Sequence, residues 1–143
     1  MKILIVKRRG FASSLKRKLI NKGLAGNIII AVETIEEAEK HLAKEQIDQL
    51  IIGLNLKPDT GDLLLGWRWA CNHVIPKYPH LAHRIIIFSS HIDVLNKVGH
   101  DQVEDADIVC APGPSIQTYR DALQKKNTLK KLVERIVEVS KTS

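Results

Sequence analysis

The sequence predicts a doubly wound α/β domain, in which a parallel β-sheet is covered by helices on both faces. Five short apolar runs recur along the 143 residues, and each is nearly continuous rather than alternating, as in strands that are buried on both sides. The stretches between these runs space their apolar residues as helices do. Strand and helix therefore alternate, and right-handed crossovers between such units build a parallel sheet.

The predicted strands contain almost only Ile, Leu, Val and Phe, so none has a polar face. They cover residues 3–6, 28–30, 50–52, 85–88 and 108–110. The first predicted helix follows at residues 11–21, where Phe11, Leu15 and Leu19 repeat every four residues, and Gly23 is a suitable helix stop. Its outer side carries Lys16, Arg17 and Lys18.

The second helix has the clearest start signal in the sequence. Thr34 is a good N-cap, and Glu37 three residues later completes a capping box. Ile35, Ala38 and Leu42 form the predicted inward stripe of this helix.

The third helix begins after Gly61 and ends at Pro76, because proline terminates a helix. Its predicted inward stripe consists of Leu64, Trp67, Cys71 and Val74. Trp69 lies about 200° around the helix from Trp67, so both indole rings cannot face inward.

Two further helices complete the pattern, and the whole chain, residues 1–143, is predicted to form one domain. A weak fourth helix covers residues 92–97, and a long last helix spans residues 116–139. This extended C-terminal helix is basic on its outer side, which carries Lys125, Lys126, Lys130, Lys131 and Arg135. Such a charge run is more often a solvated helix face than a binding site.

The composition is that of an ordinary globular protein with a basic balance. The formal net charge is +6 and the isoelectric point is near 9.4, which favours acidic partners. Aromatic residues make up only 4%, which argues against stacking on single-stranded nucleic acid. The sequence contains no apolar run long enough to cross a bilayer, so we expect a cytoplasmic protein with no membrane contact. Cys71 and Cys110 are expected to be reduced, inert thiols.

Functional residues of an open parallel sheet gather where the strands' carboxyl ends meet the following loops. In this sequence those ends carry the segments Lys7-Arg8-Arg9, Gly53-Leu54-Asn55, Ser89-Ser90 and Ala111-Pro112.

This layout resembles the receiver domain of two-component response regulators over about residues 2–125. The resemblance implies a five-stranded parallel sheet of order 2-1-3-4-5 with helices on both faces. Receivers place an acidic pair after the first strand, a phosphate-accepting Asp after the third, a Ser or Thr after the fourth and a Lys before a Pro after the fifth. The acids hold a magnesium ion that, with the lysine, neutralises the phosphoryl group.

Position by position, this chain has lost that chemistry. The acidic pair falls on Lys7 and Arg8, the acceptor on Gly53 and the lysine on Ala111, whereas the hydroxyl is kept as Ser89. Asn55 and Asp59 lie in the same loop as Gly53 and are unconvincing substitutes for the acceptor. We therefore expect no enzyme activity, no bound metal and no cofactor, as in a degenerate receiver, or pseudo-receiver.

The resemblance implies a regulatory adaptor that acts through contacts with a signalling protein. The family's usual partner surface falls on about residues 91–123, where Ile116 and Tyr119 are the first candidates, although ordinary packing explains both. Homodimerisation is left open.

Three alternatives remain at this point. One is an anion site in the crevice, formed by Lys7, Arg8 and Arg9 with Ser89 and Ser90. The second is nucleic-acid binding through the basic first and last helices, although no reading motif supports it. The third is a metal site at His80 and His83, which lacks a third ligand at a sensible spacing.

Overall fold

The structure, a computed structural model, describes residues 1–60, 65–89, 108–110, 116–120, 133–134 and 136–138. Its strands are β1 (Ile3–Val6), β2 (Ile29–Val32), β3 (Gln49–Ile52), β4 (Ile85–Ser89), β5 (Ile108–Cys110) and β6 (Ile116–Arg120). Its α-helices are α1 (Phe11–Asn21), α2 (Ile35–Lys44), α3 (Leu65–Trp69) and α4 (Ile75–Lys77), and a π-helical segment, Ala70–Val74, joins the last two. We call these three continuous segments, residues 65–77, the third helical run. Short 3₁₀ turns lie at Gly26–Ile28, Pro58–Thr60 and Pro79–Leu81.

The first four strands form a parallel sheet in the order β2-β1-β3-β4. The predicted α/β class, its parallel sheet and this part of the strand order are confirmed. In the register, Val6 lies beside Ile52, and Ile52 lies beside Ile87. The residues that follow these strands therefore meet at one edge of the sheet.

Residues 108–110 form a strand, as predicted, but its predicted place beside β4 is wrong. The strand beside β4 is β6, which runs parallel to it, whereas residues 108–110 form an antiparallel edge strand, β5, paired to β6. The sheet thus has six strands in the order β2-β1-β3-β4-β6-β5 rather than five in the order 2-1-3-4-5. Residues 116–120, Ile-Gln-Thr-Tyr-Arg, are rich in β-branched and aromatic side chains, which favour a strand over the helix start that we predicted there.

Successive residues of each central strand enter two separate apolar layers, because side chains alternate across a sheet. Leu4, Val6, Leu50 and Ile52 pack with Ala38 and Leu42 of α2 and with Trp69 and Val74 of the third helical run. Ile3, Ile5, Ile51 and Ile86 pack on the opposite face with Ala12, Leu15 and Leu19 of α1 and with Ile136. Helices therefore cover both faces of the described sheet, as the apolar runs predict.

The two N-terminal helices occupy the predicted residues. Thr34 caps α2 by accepting a hydrogen bond from Glu37 N at 3.2 Å, and its hydroxyl donates to Glu37 Oε1 at 3.2 Å. In α1, however, Phe11 is 50% exposed rather than part of the inward stripe. The buried residues of α1 are Ala12, Leu15 and Leu19, so Phe11 lies on the flank of the helix.

The third helical run buries Val74, as predicted, together with Trp69 and Ala70, which were not in the predicted inward stripe. Trp67 and Cys71 of that stripe are only half-buried and pack at the margin of the same core. Of the two tryptophans, Trp69 is therefore the one that enters the core. Trp69 also donates its Nε1–H to Glu39 Oε1 at 3.1 Å, so the buried indole keeps a polar partner.

Several predicted elements lie outside the described residues: Gly61, Leu64, the helix at 92–97 and residues 121–132 of the last helix. Residues 133–134 and 136–138 are helical, as predicted. Gln49, fully buried in β3, donates its Nε2–H to the carbonyl oxygen of Ile136 at 2.9 Å and so fixes this helical segment against the sheet.

Replacing Thr34 by Ala removes the hydroxyl that satisfies the amide of Glu37. We expect the free energy of unfolding to fall by about 1 kcal/mol. Urea denaturation followed by circular dichroism measures the change. Thr34→Ser keeps the hydroxyl and is expected to stay within about 0.5 kcal/mol of the natural chain. Equal losses in both variants would contradict the capping role.

Candidate functional site

The carboxyl ends of β1, β3 and β4 meet in a crevice. Lys7 follows β1, Gly53 follows β3, and Phe88 and Ser89 end β4. Because Val6 pairs with Ile52 and Ile52 with Ile87, these positions lie side by side at one edge of the sheet. The backbone continues this pattern, since Lys7 N donates to Val32 O at 3.1 Å and Gly53 N donates to Val6 O at 2.9 Å.

Lys7 fills this crevice. Its side chain is 7% exposed, and its Nζ donates a hydrogen bond to the carbonyl oxygen of Phe88 at 2.8 Å. The same ammonium lies 4.7 Å from the centre of the Phe88 ring, within the range of a cation–π interaction. A buried charge is costly unless it is well partnered. These contacts identify Lys7 as an internal cation that bridges the ends of β1 and β4.

Gly53 provides the space that the Lys7 side chain crosses. A Cβ atom placed on Gly53 would lie 3.6 Å from Lys7 Cγ and 3.6 Å from Leu56 Cδ2, both ordinary contact distances. The two residues after Gly53 in the same loop that pack inward are Leu54, fully buried, and Leu56, 6% exposed. The loop after β3 therefore lines the crevice with apolar groups.

The beginning of α3 packs against this loop through the backbone. Gly66 N donates to Leu54 O at 3.0 Å, and a Cβ on Gly66 would lie only 2.0 Å from Gly53 O. No side chain fits at Gly66 unless the backbone moves. This contact holds the third helical run directly over the position of Gly53.

Neither Asn55 nor Asp59, the possible substitutes for the phosphate acceptor, places a carboxylate in the crevice. Asp59 is exposed in the turn Pro58–Thr60. Asn55 is half-buried, and its Oδ1 atom is buried without a hydrogen-bond partner among the described residues. Within the described part of the chain, no group of three or more His, Cys, Asp or Glu side chains is arranged to hold a metal ion.

Arg8 and Arg9 do not join Lys7 in the crevice. Arg8 is half-buried, with its guanidinium carbon 5.7 Å from the centre of the Phe11 ring, and Arg9 is exposed. The chain turns sharply here, since Arg9 and Gly10 both adopt positive φ angles of 53° and 74°. The turn brings Gly10 N to 2.5 Å from Glu33 Oε1, so a carboxylate of the chain itself accepts a hydrogen bond at the start of α1.

The remaining predicted site residues are only partly described. Ser89 is the last residue of β4, at the crevice edge, and Ser90 lies outside the described residues. The assignment of Ile116 and Tyr119 to a helix face is wrong, because both lie in β6 and pair with Ile85 and Phe88 of β4. They occupy a strand with a neighbour on each side, and their contact with a partner stays a prediction.

Arg120 is a residue at this sheet edge that the sequence pattern does not predict, because residues 116–139 have the spacing of a helix. Arg120 ends β6 and pairs with Ser89, so its backbone lies at the same sheet edge as Lys7 and Gly53. The antiparallel strand β5 runs the other way, since Cys110 pairs with Gln117 near the start of β6. The carboxyl end of β5 is therefore at the opposite edge of the sheet. The predicted lysine position follows the strand that runs parallel to β4. That strand is β6, so the position comes after Arg120 and not at Ala111.

His80 and Cys71, which the sequence offers as a metal ligand and a thiol, have structural roles here. His80 donates from Nε2 to the carbonyl oxygen of Ile47 at 2.9 Å, which ties the turn Pro79–Leu81 to the start of β3. Cys71 is a free thiol, and burial raises its pKa, which disfavours the reactive thiolate. Among the described helices, none has the length and apolar character needed to cross a membrane.

Comparison with known proteins identifies the fold. No protein-family model matches the chain, and no curated protein matches it. One solved structure that it resembles is described as a transiently phosphorylated "switch" in bacterial signal transduction, with a TM-score of 0.57, 18% sequence identity and 97% of each chain covered. At this identity the match supports a receiver-like α/β fold.

Replacing Lys7 by Met keeps an unbranched side chain and removes the ammonium. The carbonyl of Phe88 then loses its buried donor, so we expect the free energy of unfolding to fall by about 1–3 kcal/mol. Chemical denaturation measures this change. Arg17→Met, at an exposed position of α1, is the matched control and is expected to change stability by less than about 0.5 kcal/mol. An equal or smaller loss in Lys7→Met would contradict the internal-cation role.

Adding one methyl group at Gly66 tests the backbone contact over Gly53. Gly66→Ala is expected to lower the free energy of unfolding by about 3 kcal/mol, despite the better helix propensity of Ala, because the methyl group meets a carbonyl oxygen. Gly53→Ala is the matched control, and its methyl group meets only ordinary contacts. Thermal denaturation of both variants decides the point, and a Gly66→Ala variant as stable as Gly53→Ala would refute the close approach.

Proposed function

We propose that this chain is a pseudo-receiver: a cytoplasmic, non-catalytic signalling domain that acts by contacting a protein partner and is not phosphorylated at the usual position. The proposal takes residues 1–143 as one receiver-like domain. The single observation that carries it is the Lys7 ammonium, which lies in the crevice at 2.8 Å from Phe88 O. A divalent cation bound at the same edge would have to lie beside this positive charge.

Phosphoryl transfer on this fold depends on placed charges rather than on covalent help from the protein. The crevice has Gly53 where an acceptor carboxylate would be needed, and apolar Leu54 and Leu56 lie next to it. Arg8 and Arg9, which follow Lys7, are bases and not metal-binding acids. The absence of a nucleophile at Gly53 and the positive charge at Lys7 both favour a domain without this reaction.

The solved switch that the chain resembles is, by its description, transiently phosphorylated and part of bacterial signal transduction. A shared fold makes signalling the natural context for this chain, although fold alone never fixes chemistry. A domain that keeps the architecture and lacks the reactive groups retains its surfaces for binding. We infer a protein partner from a signalling system, which recognises this chain independently of phosphorylation.

The test combines phosphorylation with partner capture. We expect intact-mass spectrometry to detect no added phosphoryl group after incubation with acetyl phosphate and MgCl₂. We also expect MgCl₂ to leave the amide NMR signals of Lys7, Gly53 and Ser89 unchanged, because the crevice already holds a cation. A stoichiometric phosphoryl adduct would refute the proposal.

Partner capture from the native cells tests the second half of the proposal. The immobilised chain is expected to retain the same signalling protein with and without acetyl phosphate. Gly53→Asp, which restores a carboxylate at the acceptor position, is the matched variant and is expected to stay unphosphorylated because Lys7 remains in place. A partner that binds only in the presence of the phosphodonor would contradict an adaptor that is independent of phosphorylation.

A further inference from the structure

The positive charge of this chain is concentrated in its first quarter. Of the 22 Lys and Arg residues, eight lie within residues 1–32, which contain no Asp or Glu. The other 14 share the rest of the chain with all 16 acids. The net charge of +6 therefore originates entirely in the segment that forms β1, α1 and β2.

Most of these bases form no ion pair among the described residues. Lys2 pairs with Glu45, and Lys7 is the internal cation of the crevice. Six others, all half-buried or exposed, form no ion pair within the described structure. These six bases, which we call the α1 bases, are Arg8, Arg9, Lys16, Arg17, Lys18 and Lys22.

The α1 bases follow one helix and its two ends. Because α1 has 11 residues and a helix rises 1.5 Å per residue, the helical part is about 16 Å long. Its buried residues, Ala12, Leu15 and Leu19, fix which side meets the sheet. Arg17 lies on the opposite side, and Lys16 and Lys18 lie on the two flanks, so the outer surface of α1 carries positive charge on three sides.

Acids near this surface are few in the part of the chain that the structure describes. The Glu33 carboxylate accepts from Gly10 N at the start of α1. The described helical residues that share this face of the sheet include Glu134 and Glu138, both exposed. Six bases without an ion pair, against these three acids, leave an excess of positive charge on the described surface for a polyanionic partner.

The exposed apolar side chains of α1 help to choose between an anionic membrane, an acidic protein and a nucleic acid as the partner. Phe11 is 50% exposed and Ile20 is 39% exposed, both in α1. They are nine residues apart, which places them about 180° apart around the helix. A helix that inserts into a bilayer needs one continuous apolar face, and a protein interface needs a contiguous apolar centre. Two separated side chains provide neither, whereas contacts to phosphates require only distributed bases.

We propose that the outer surface of α1 binds the phosphate backbone of a nucleic acid without regard to sequence. Arg17 and Lys18 contribute the central contacts, and Arg8 with Arg9 and Lys22 extend them at either end. The inference is independent of the proposed adaptor function, because it uses neither the crevice nor the signalling partner. Either can fail while the other stands.

The experiment measures fluorescence anisotropy of a labelled DNA duplex of arbitrary sequence, about 20 base pairs long, with the full chain between 50 and 200 mM salt. We expect log K to fall with log salt at a slope between about −3 and −5, since each phosphate contact contributes about −0.9. A slope near zero, or no binding at 50 mM salt, would overturn the proposal.

Charge reversal locates the site. The double variant Arg17→Glu with Lys18→Glu is expected to bind the duplex at least about tenfold more weakly at the lowest salt, and with a shallower slope. Lys40→Glu with Lys44→Glu changes the net charge equally at exposed positions of α2, on the other face of the sheet. This control is expected to lose less than about threefold. Equal losses in the two pairs would mean a general charge effect and would overturn the proposal.

Two further probes separate the competing partners. Vesicles of phosphatidylcholine and phosphatidylserine in equal parts represent an anionic membrane, and polyglutamate represents an acidic protein. We expect both to bind more weakly than the duplex at the same salt. Binding to the vesicles or to polyglutamate that depends on Arg17 and Lys18 and exceeds binding to the duplex would overturn the nucleic-acid assignment.

Discussion

The hydrogen bond from Lys7 Nζ to the carbonyl oxygen of Phe88 is the contact on which the carboxyl edge of this sheet depends. It places a positive charge, 7% exposed, between the ends of β1 and β4. A buried ammonium is tolerated only when acceptors or an aromatic face replace its water. Phe88 provides both, since its ring lies 4.7 Å from the same nitrogen. Among the described residues, the crevice therefore holds a cation that belongs to the chain itself.

The neighbouring contacts at this edge depend on close packing of the loop after β3. The stem of Lys7 lies beside Gly53, and because Gly66 has no side chain it can approach the Gly53 carbonyl oxygen. Leu54 and Leu56 of the same loop are buried. Among the described residues, two glycines, two leucines and one lysine thus pack together at the carboxyl edge of the sheet.

The sequence predicts the described elements up to β4 well and the arrangement of residues 108–120 poorly, for physical reasons. Strands β1 to β4 consist of continuous apolar runs, and the capping box at Thr34 and Glu37 is unambiguous, so both pattern and local chemistry agree. The strand at 108–110 was predictable from its apolar run, but its antiparallel pairing with residues 116–120 was not, because strand pairing joins segments that periodicity treats separately. The position of Lys7 at a strand end was predictable, but its bond to Phe88 was not, because it joins residues 81 positions apart.

The distribution of the remaining bases separates two uses of positive charge in one short segment. Lys7 is buried and partnered, so its charge stabilises the fold. The chain then turns at Arg9 and Gly10, which both have positive φ angles, and enters α1, whose outer side carries exposed bases. A single turn of the chain thus divides an internal cation from a basic surface. The buried charge of Lys7 and the exposed charges of α1 therefore have separate roles. A polyanion can contact α1 while the bond from Lys7 to Phe88 stays in place.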